Sequence, residues 1–245
     1  MQLNQDWHQI FGQCGNYNLS STADCNAFAL QTEDGLVLFD AGAGLDASTQ
    51  SDAFAAAGFP AGPTHVFLTH AHADHAGGAA MLKENYGALL HAGPLTAKWL
   101  AAADEVKISL ASARRVGIYS ASYFFRGAET DCIVGDGTLL DIGGTKIQAV
   151  ATPGHSADHF SYLVYHGNTV TLIAGDAIFS GGKVVLQNTW DCSVVQTCQS
   201  IRTLHALDFG ALFAGHGPAV LNDGKAHVAA AMERVDKLLA PLNFL

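Results

Sequence analysis

Apolar runs of about five residues, several of them closed by glycine, aspartate or histidine, set the rhythm of this chain. Such runs read as buried strands, whereas apolar residues that return every three or four positions read as helices with one buried face. Cys25–Leu30 and Leu36–Asp40 are two runs of the first kind. Between them, Thr32-Glu33-Asp34-Gly35 holds an Asp-Gly pair, which predicts a hairpin that opens a first sheet. Ala47–Ala57 predicts a helix stopped by Gly58 and Pro60. His65–Thr69 predicts a buried strand, Ala79–Asn85 a helix and Ala88–His91 another strand. Pro94 to Arg126, rich in alanine and long side chains, predicts two helices.

The second half repeats this organisation. Val134–Thr138 predicts a turn between short strands, followed by a strand over Lys146–Ala151. Ser161–Tyr165 and Val170–Ala174 pair across His166-Gly167-Asn168, and Ala211–Phe213 supplies a last strand. Val194, Cys198, Ile201, Leu204 and Leu207 recur at helical spacing, as do Val228, Met232, Val235 and Leu239, so two core-facing helices are expected. One strand ends in Asp-Ala-Gly from residue 40 and another in Gly-Asp-Ala near residue 176, which suggests two similar halves without a literal repeat.

Composition narrows the picture. A chain of 245 residues that is 49% hydrophobic can bury a sizeable core, and one domain over 1–245 is expected, with 94–126 as a helical insertion. No apolar run reaches the roughly 18 residues of a membrane span, and Met1-Gln2-Leu3-Asn4-Gln5-Asp6 lacks the basic and apolar regions of a signal peptide. The expectation is a cytoplasmic protein without a membrane partner. A formal charge of −10 disfavours nucleic acid, and only Arg114-Arg115 approaches a basic cluster. Cys14, Cys25, Cys132, Cys192 and Cys198 form no Cys-x-x-Cys pair and read as reduced thiols, Cys198 on the core side of its helix. Self-association into a homo-oligomer is left open.

Chemistry concentrates in Thr69-His70-Ala71-His72-Ala73-Asp74-His75-Ala76-Gly77-Gly78. This stretch follows a predicted strand, so its side chains stand on a loop at a strand's carboxyl end, where open sheets put their chemistry. Imidazole nitrogen and carboxylate oxygen both suit a borderline-soft divalent ion such as zinc. One loop cannot wrap one ion with all four groups. His70 and His72 can converge on one ion, and Asp74 and His75, displaced along the turn, can face a second. Further ligands must come from later in the chain. The candidates are His155 in Thr-Pro-Gly-His, Asp176 in Ala-Gly-Asp and His216 in Gly-His-Gly, each directly after a strand-like run. Singly, each of these three would pass for an ordinary loop residue.

His-x-His-x-Asp-His, Thr-Pro-Gly-His, Gly-Asp and Gly-His-Gly, in this order from about Phe39 to Pro218, resemble the metallo-β-lactamase superfamily. The resemblance implies an α/β fold, a four-layer αβ/βα sandwich, with a two-metal site at one edge. It implies that His70, His72 and His155 hold one ion, that Asp74, His75 and His216 hold the other, and that Asp176 bridges them. Asp40 resembles a group that orients a metal-bound histidine, since ligating imidazoles need a partner on their other nitrogen; a turn residue is the alternative. His159 is expected to pack or hydrogen-bond behind the site rather than ligate. Trp99, Tyr119, Tyr123, Phe124 and Phe125 in the insertion either wall a substrate pocket or pack it onto the body. Arg114 and Arg115 either meet an anionic substrate group or form a solvated face.

What the resemblance implies for activity is a zinc-dependent hydrolase of a small-molecule ester, thioester or lactone, acting through a hydroxide shared by two ions, with Asp74 orienting it. An iron- or manganese-dependent redox enzyme of the same fold is the alternative, because the ligand types do not exclude other first-row metals. A β-lactamase is disfavoured by the intact Asp176, and a phosphodiesterase by the acidic charge. Acyl-homoserine lactonases carry a Tyr three residues after the bridging Asp, where this chain has Phe179. Hydroxyacylglutathione hydrolases carry a long helical C-terminal region, where this chain has a short tail after His216.

Overall fold

A computed structural model describes residues 1–14 and 16–244, the side chain of Cys14 excepted. The chain forms two compact units, Met1–Val134 and Gly135–Leu245.

In the first unit, β1 (Trp7–Phe11) is followed by a small hairpin, β2 (Gln13–Cys14) and β3 (Tyr17–Asn18). The expected hairpin is β4 (Ala27–Thr32) and β5 (Gly35–Phe39). Then come α1 (Ala47–Ala56), β6 (His65–Phe67), the single turn α2 (Ala73–Ala76), α3 (Ala79–Tyr86) and β7 (Leu89–Ala92). The insertion carries α4 (Pro94–Ala102) and α5 (Leu110–Arg115) before β8 (Cys132–Ile133). The strands make one sheet in the order β1-β4-β5-β6-β7-β8. Its hairpin half is antiparallel, and its β5-β6-β7-β8 half is parallel. Phe39, Phe67 and His91 are register partners on three successive strands. Their rings stack in a row, with centroids 5.5 Å and then 4.1 Å apart.

The second unit contains β9 (Leu139–Ile142), β10 (Thr145–Ala151), β11 (Phe160–His166), β12 (Thr169–Gly175), β13 (Lys183–Val184), α6 (Val194–His205), β14 (Ala211–Ala214), α7 (Gly224–Asp236) and β15 (Leu242–Asn243). Its main sheet runs β14-β12-β11-β10-β9, antiparallel except where β14 joins β12. Ile201 and Leu204 of α6 and Val228, Ala231 and Val235 of α7 bury against Leu163, Leu172 and Leu212 of the sheet. Cys198 packs, partly buried, on the same cluster. Leu239 does not continue the stripe of α7. The helix stops at Asp236, Leu238 turns to φ +58°, and Leu239 is left half exposed.

Two further differences from expectation have local causes. β1 was not anticipated, because its buried face includes Gln9. The amide of that residue is satisfied by the carbonyls of Phe11 and Gln13 and by Asn26 Oδ1, so a polar letter hides an interior position. β6 ends at Phe67 rather than Thr69, because the Thr69 N–H leaves the ladder for the carboxylate of Asp40. Cys25, Cys132, Cys192 and Cys198 are free thiols, while the side chain of Cys14 lies outside the described residues. No helix among the described residues is long and apolar enough to cross a membrane.

Candidate metal centre

In the first unit the chemistry is built where β5 and β6 end. Asp40, just past β5, sits at φ +64° with 2% of its surface exposed. Asp tolerates this left-handed conformation better than most residues, yet it is still a sparsely populated one. It aims the carboxylate at the neighbouring strand end, where Oδ1 accepts the Thr69 N–H at 2.8 Å and Oδ2 accepts from His75 Nδ1 at 2.8 Å. The Thr69 hydroxyl lies 2.9 Å from Oδ2 and 3.0 Å from His70 Nδ1.

These contacts assign the imidazole tautomers. A carboxylate only accepts, so His75 carries its proton on Nδ1. The Thr69 hydroxyl donates to the same carboxylate, so its remaining oxygen lone pair takes the proton on His70 Nδ1. Both rings therefore present Nε2 as the basic nitrogen, as a metal-ligating histidine does. The ring centroids of His70 and His72 are 4.5 Å apart, and those of His70 and His75 are 4.2 Å apart. His75 Nε2 lies 3.5 Å from Asp74 Oδ2. His70 and His75 are fully buried, whereas the Asp74 side chain keeps 23% of its surface open.

Glycine makes this packing feasible. A Cβ on Gly78 would stand 2.1 Å from the Ala41 carbonyl, and one on Gly77 would stand 2.4 Å from that of Ala43. The two backbone segments are laced by Ala41 N–H to the His75 carbonyl at 2.7 Å and Gly78 N–H to that of Gly42 at 2.9 Å.

In the second unit, Asp176 follows β12, His155 follows β10 and His216 follows β14. Asp176 Oδ2 lies 3.5 Å from His155 Nε2 and 3.6 Å from His216 Nε2. His155 Nδ1 faces the Val185 carbonyl at 3.4 Å. Behind them runs a chain of hydrogen bonds with one consistent direction. The Asp176 N–H donates to His159 Nε2 at 3.0 Å, and His159 Nδ1 donates to Thr152 Oγ1 at 2.8 Å. Thr152 then donates to Ser161 Oγ at 2.9 Å, and Ser161 donates to the Ala174 carbonyl at 3.2 Å. Both nitrogens of His159 are thus engaged within the protein, which leaves it to hold the Asp176 backbone in place.

The remaining candidates are placed as follows. Phe179 is fully buried with Val185, Ala214 and Phe244, its ring centroid 6.3 Å from that of His216. The Arg114 guanidinium pairs with Glu105 and with the Tyr123 carbonyl, and Arg115 reaches Ser112 Oγ at 2.9 Å. Tyr123 is buried and donates its hydroxyl to the Ala43 carbonyl at 2.7 Å. Of the insertion's other aromatics, Trp99, Tyr119 and Phe125 are buried and Phe124 is exposed. Sequence reasoning missed Thr69, Thr152, Ser161 and Cys25. The Cys25 Sγ clusters with Asp40 and His75, its thiol pushed up to about 12, chiefly by burial. A thiol that stays protonated at neutral pH is a poor ligand. The loop motif offered one signal for Thr69, which stands next to the first histidine.

Residues 22–226 match the model of the Metallo-beta-lactamase superfamily, a stretch that takes in residues of both units. Among curated proteins, the chain is 32% identical over 117 residues to a hydroxyacylglutathione hydrolase of Ectopseudomonas mendocina, covering 48% of this chain and 34% of that protein. It is 25% identical over 211 residues to an atrochrysone carboxyl ACP thioesterase of Aspergillus fumigatus, covering 86% of this chain and 55% of the relative. In both, the chain spans less than two thirds of the relative's length. Among solved structures, a metallo-beta-lactamase of Cronobacter sakazakii with a HARLDQ motif superposes with a TM-score of 0.69 at 24% identity, over 89% of each chain.

Proposed function

This chain belongs to the metallo-beta-lactamase superfamily, and from that membership we propose that it is a hydrolase that uses two divalent ions to cleave an ester, thioester or lactone of a small molecule. In this reading His70, His72 and His155 hold one ion, Asp74, His75 and His216 hold the other, and Asp176 is shared. Zinc is the metal we propose, since the donor set is imidazole nitrogen and carboxylate oxygen. Relatives named as a thioesterase and as a hydrolase of hydroxyacylglutathione favour an acylated thiol among the three substrate classes.

One observation carries the reading. His70 and His75 are held through Nδ1 by Thr69 and Asp40, which leaves Nε2 as the basic nitrogen on each. In that common tautomer both rings offer a basic nitrogen, and that of His75 stands 3.5 Å from Asp74 Oδ2, which together make the nitrogen and oxygen donor set that a divalent ion takes. When bound, two divalent ions lower the pKa of a water from 15.7 towards 7 and polarise a carbonyl. The residues do the rest. Asp74, the most open group of the first-unit set, accepts a hydrogen bond from the attacking water and orients it. Asp40 and Thr69 keep the imidazoles aimed, and the His159 chain fixes the backbone that carries Asp176.

The experiment is turnover of zinc-loaded protein on a thioester, an acyl lactone, an aryl ester, a β-lactam and a phosphodiester, with Asp74→Asn alongside. We expect cleavage of a carbonyl substrate and a fall in kcat of about 100-fold or more in the variant. Silence of the fully loaded wild type on every carbonyl substrate, or wild-type rates in Asp74→Asn, would overturn the proposal.

A further inference from the structure

None of the seven proposed ligands carries a proton to offer a departing alkoxide or thiolate. The insertion supplies one nearby. Tyr119 and Tyr123, on the segment after α5, stack with ring centroids 4.7 Å apart and planes 23° from parallel. Tyr123 ties this pair to the metal loop. Its hydroxyl donates to the Ala43 carbonyl at 2.7 Å and stands 2.5 Å from where a Cβ on Gly77 would be. Tyr119 is held against that anchor, 8% exposed. Its hydroxyl makes no hydrogen bond among the described residues. The ring is buried while the hydroxyl oxygen keeps contact with solvent, so its O–H is available to a bound molecule.

Tyr119 also lies within electrostatic reach of Asp74, His75 and Cys25, the metal loop and its surroundings. Burial pushes its phenol far above the ordinary range, and the Asp74 charge acts in the same direction. The group is therefore a neutral donor at neutral pH. Its neighbour differs in one respect: Tyr123 is equally buried, but its hydroxyl is already engaged.

We propose that Tyr119 is a catalytic residue of the hydrolysis, donating a hydrogen bond to the leaving oxygen or sulfur as the acyl bond breaks. The inference rests on the hydrolase reading above. In the step it serves, hydroxide forms the new C–O bond, the C–O or C–S bond to the leaving atom breaks with its electron pair, and the products are a carboxylate and the protonated alcohol or thiol. The proton that ends on the leaving atom is the one hydroxide brought. Tyr119 stabilises the developing charge and keeps its own proton.

The test is Tyr119→Phe, which removes the hydroxyl and keeps the ring stack, assayed on phenyl acetates with leaving groups running from phenol to 4-nitrophenol. A hydrogen bond to a charged group predicts a loss of about 10- to 100-fold in kcat for phenyl acetate. The loss should shrink steadily towards 4-nitrophenyl acetate, whose leaving group needs the least help, and bound zinc per chain should stay at the wild-type value. Binding of 4-nitrophenolate, read by calorimetry on loaded and on metal-free protein, should weaken several-fold in the variant. Tyr123→Phe is the control: it should lose stability, and any rate loss should be the same for every leaving group. An equal loss across the ester series in Tyr119→Phe, or unchanged 4-nitrophenolate binding, would overturn the assignment. A wild type inactive on these esters and on the thioester and lactone as well would strike the hydrolase reading instead, and the binding measurement would still decide for or against Tyr119.

Discussion

Asp40→Asn separates the carboxylate's charge from its place in the fold. Asparagine is nearly the same size and, like aspartate, accepts the left-handed φ of +64°, so the backbone at the end of β5 is undisturbed. What changes is the pattern of donors. The carboxylate accepts from the Thr69 N–H, the Thr69 hydroxyl and His75 Nδ1, all inside a site where Asp40 is 2% exposed. An amide offers one oxygen and turns an NH2 against one of those donors. One charge-assisted bond is weakened and one buried donor loses its acceptor, together about 2–4 kcal/mol. The metal-free variant should therefore unfold in urea with ΔG lower by that amount and m unchanged. Its affinity for zinc, measured by competition with a chelating dye, should fall about 10- to 100-fold, as when groups supporting metal ligands are removed elsewhere. A variant within 0.5 kcal/mol of wild type, roughly the scatter of neutral surface changes, with unchanged zinc affinity would refute the claim that Asp40 holds the imidazoles.

Two further outcomes follow from single contacts. His91 is held neutral, its pKa lowered to about 4 by burial first and by the nearby His65 second, with Asp131 opposing. Its folded pKa lies below its unfolded one, so the stability it contributes is full above pH 6.5 and is lost as pH falls from there towards 4, by up to about 3 kcal/mol. Urea unfolding of metal-free protein should show this slope, and His91→Phe, which can keep the stack on Phe67, should flatten it. Gly78→Ala places a methyl 2.1 Å from the Ala41 carbonyl, so soluble yield or Tm should drop sharply, whereas Ala at Gly58, where nothing lies within 4 Å, should cost far less.

The parts of this molecule that could be read from its letters are those encoded over short spans. The Asp-Gly turn at 34–35, the apolar runs at 65–69 and 146–151 and the dense histidine loop each carry their own evidence within a few residues; the hairpin and the strand at 146–151 formed where expected, and the run at 65–69 formed a strand two residues shorter. Interior polar residues broke the code. Gln9 made β1 illegible, because its amide is satisfied only by Asn26 and two carbonyls that no pattern announces. The same holds for the supports of the candidate centre. Thr69 next to His70 is adjacent in sequence, but the carboxylate that binds it stands 29 positions earlier. The chain from Asp176 through His159 and Thr152 to Ser161 crosses three strand ends. Tyr123 meets Ala43 across 80 positions, so the insertion's attachment to the metal loop was invisible before the fold. Arg114 looked available as a charge, yet a glutamate nine residues earlier in sequence already holds it.

The central claim is that this chain holds two ions through these seven residues, and counting them tests it most directly. Metal-free protein should take up two zinc ions per chain, read by elemental analysis after titration and desalting. In His72→Ala and in Asp176→Asn that number should fall together with hydrolytic rate. Uptake of one ion or none by the wild type, or two retained in both variants, would contradict the account.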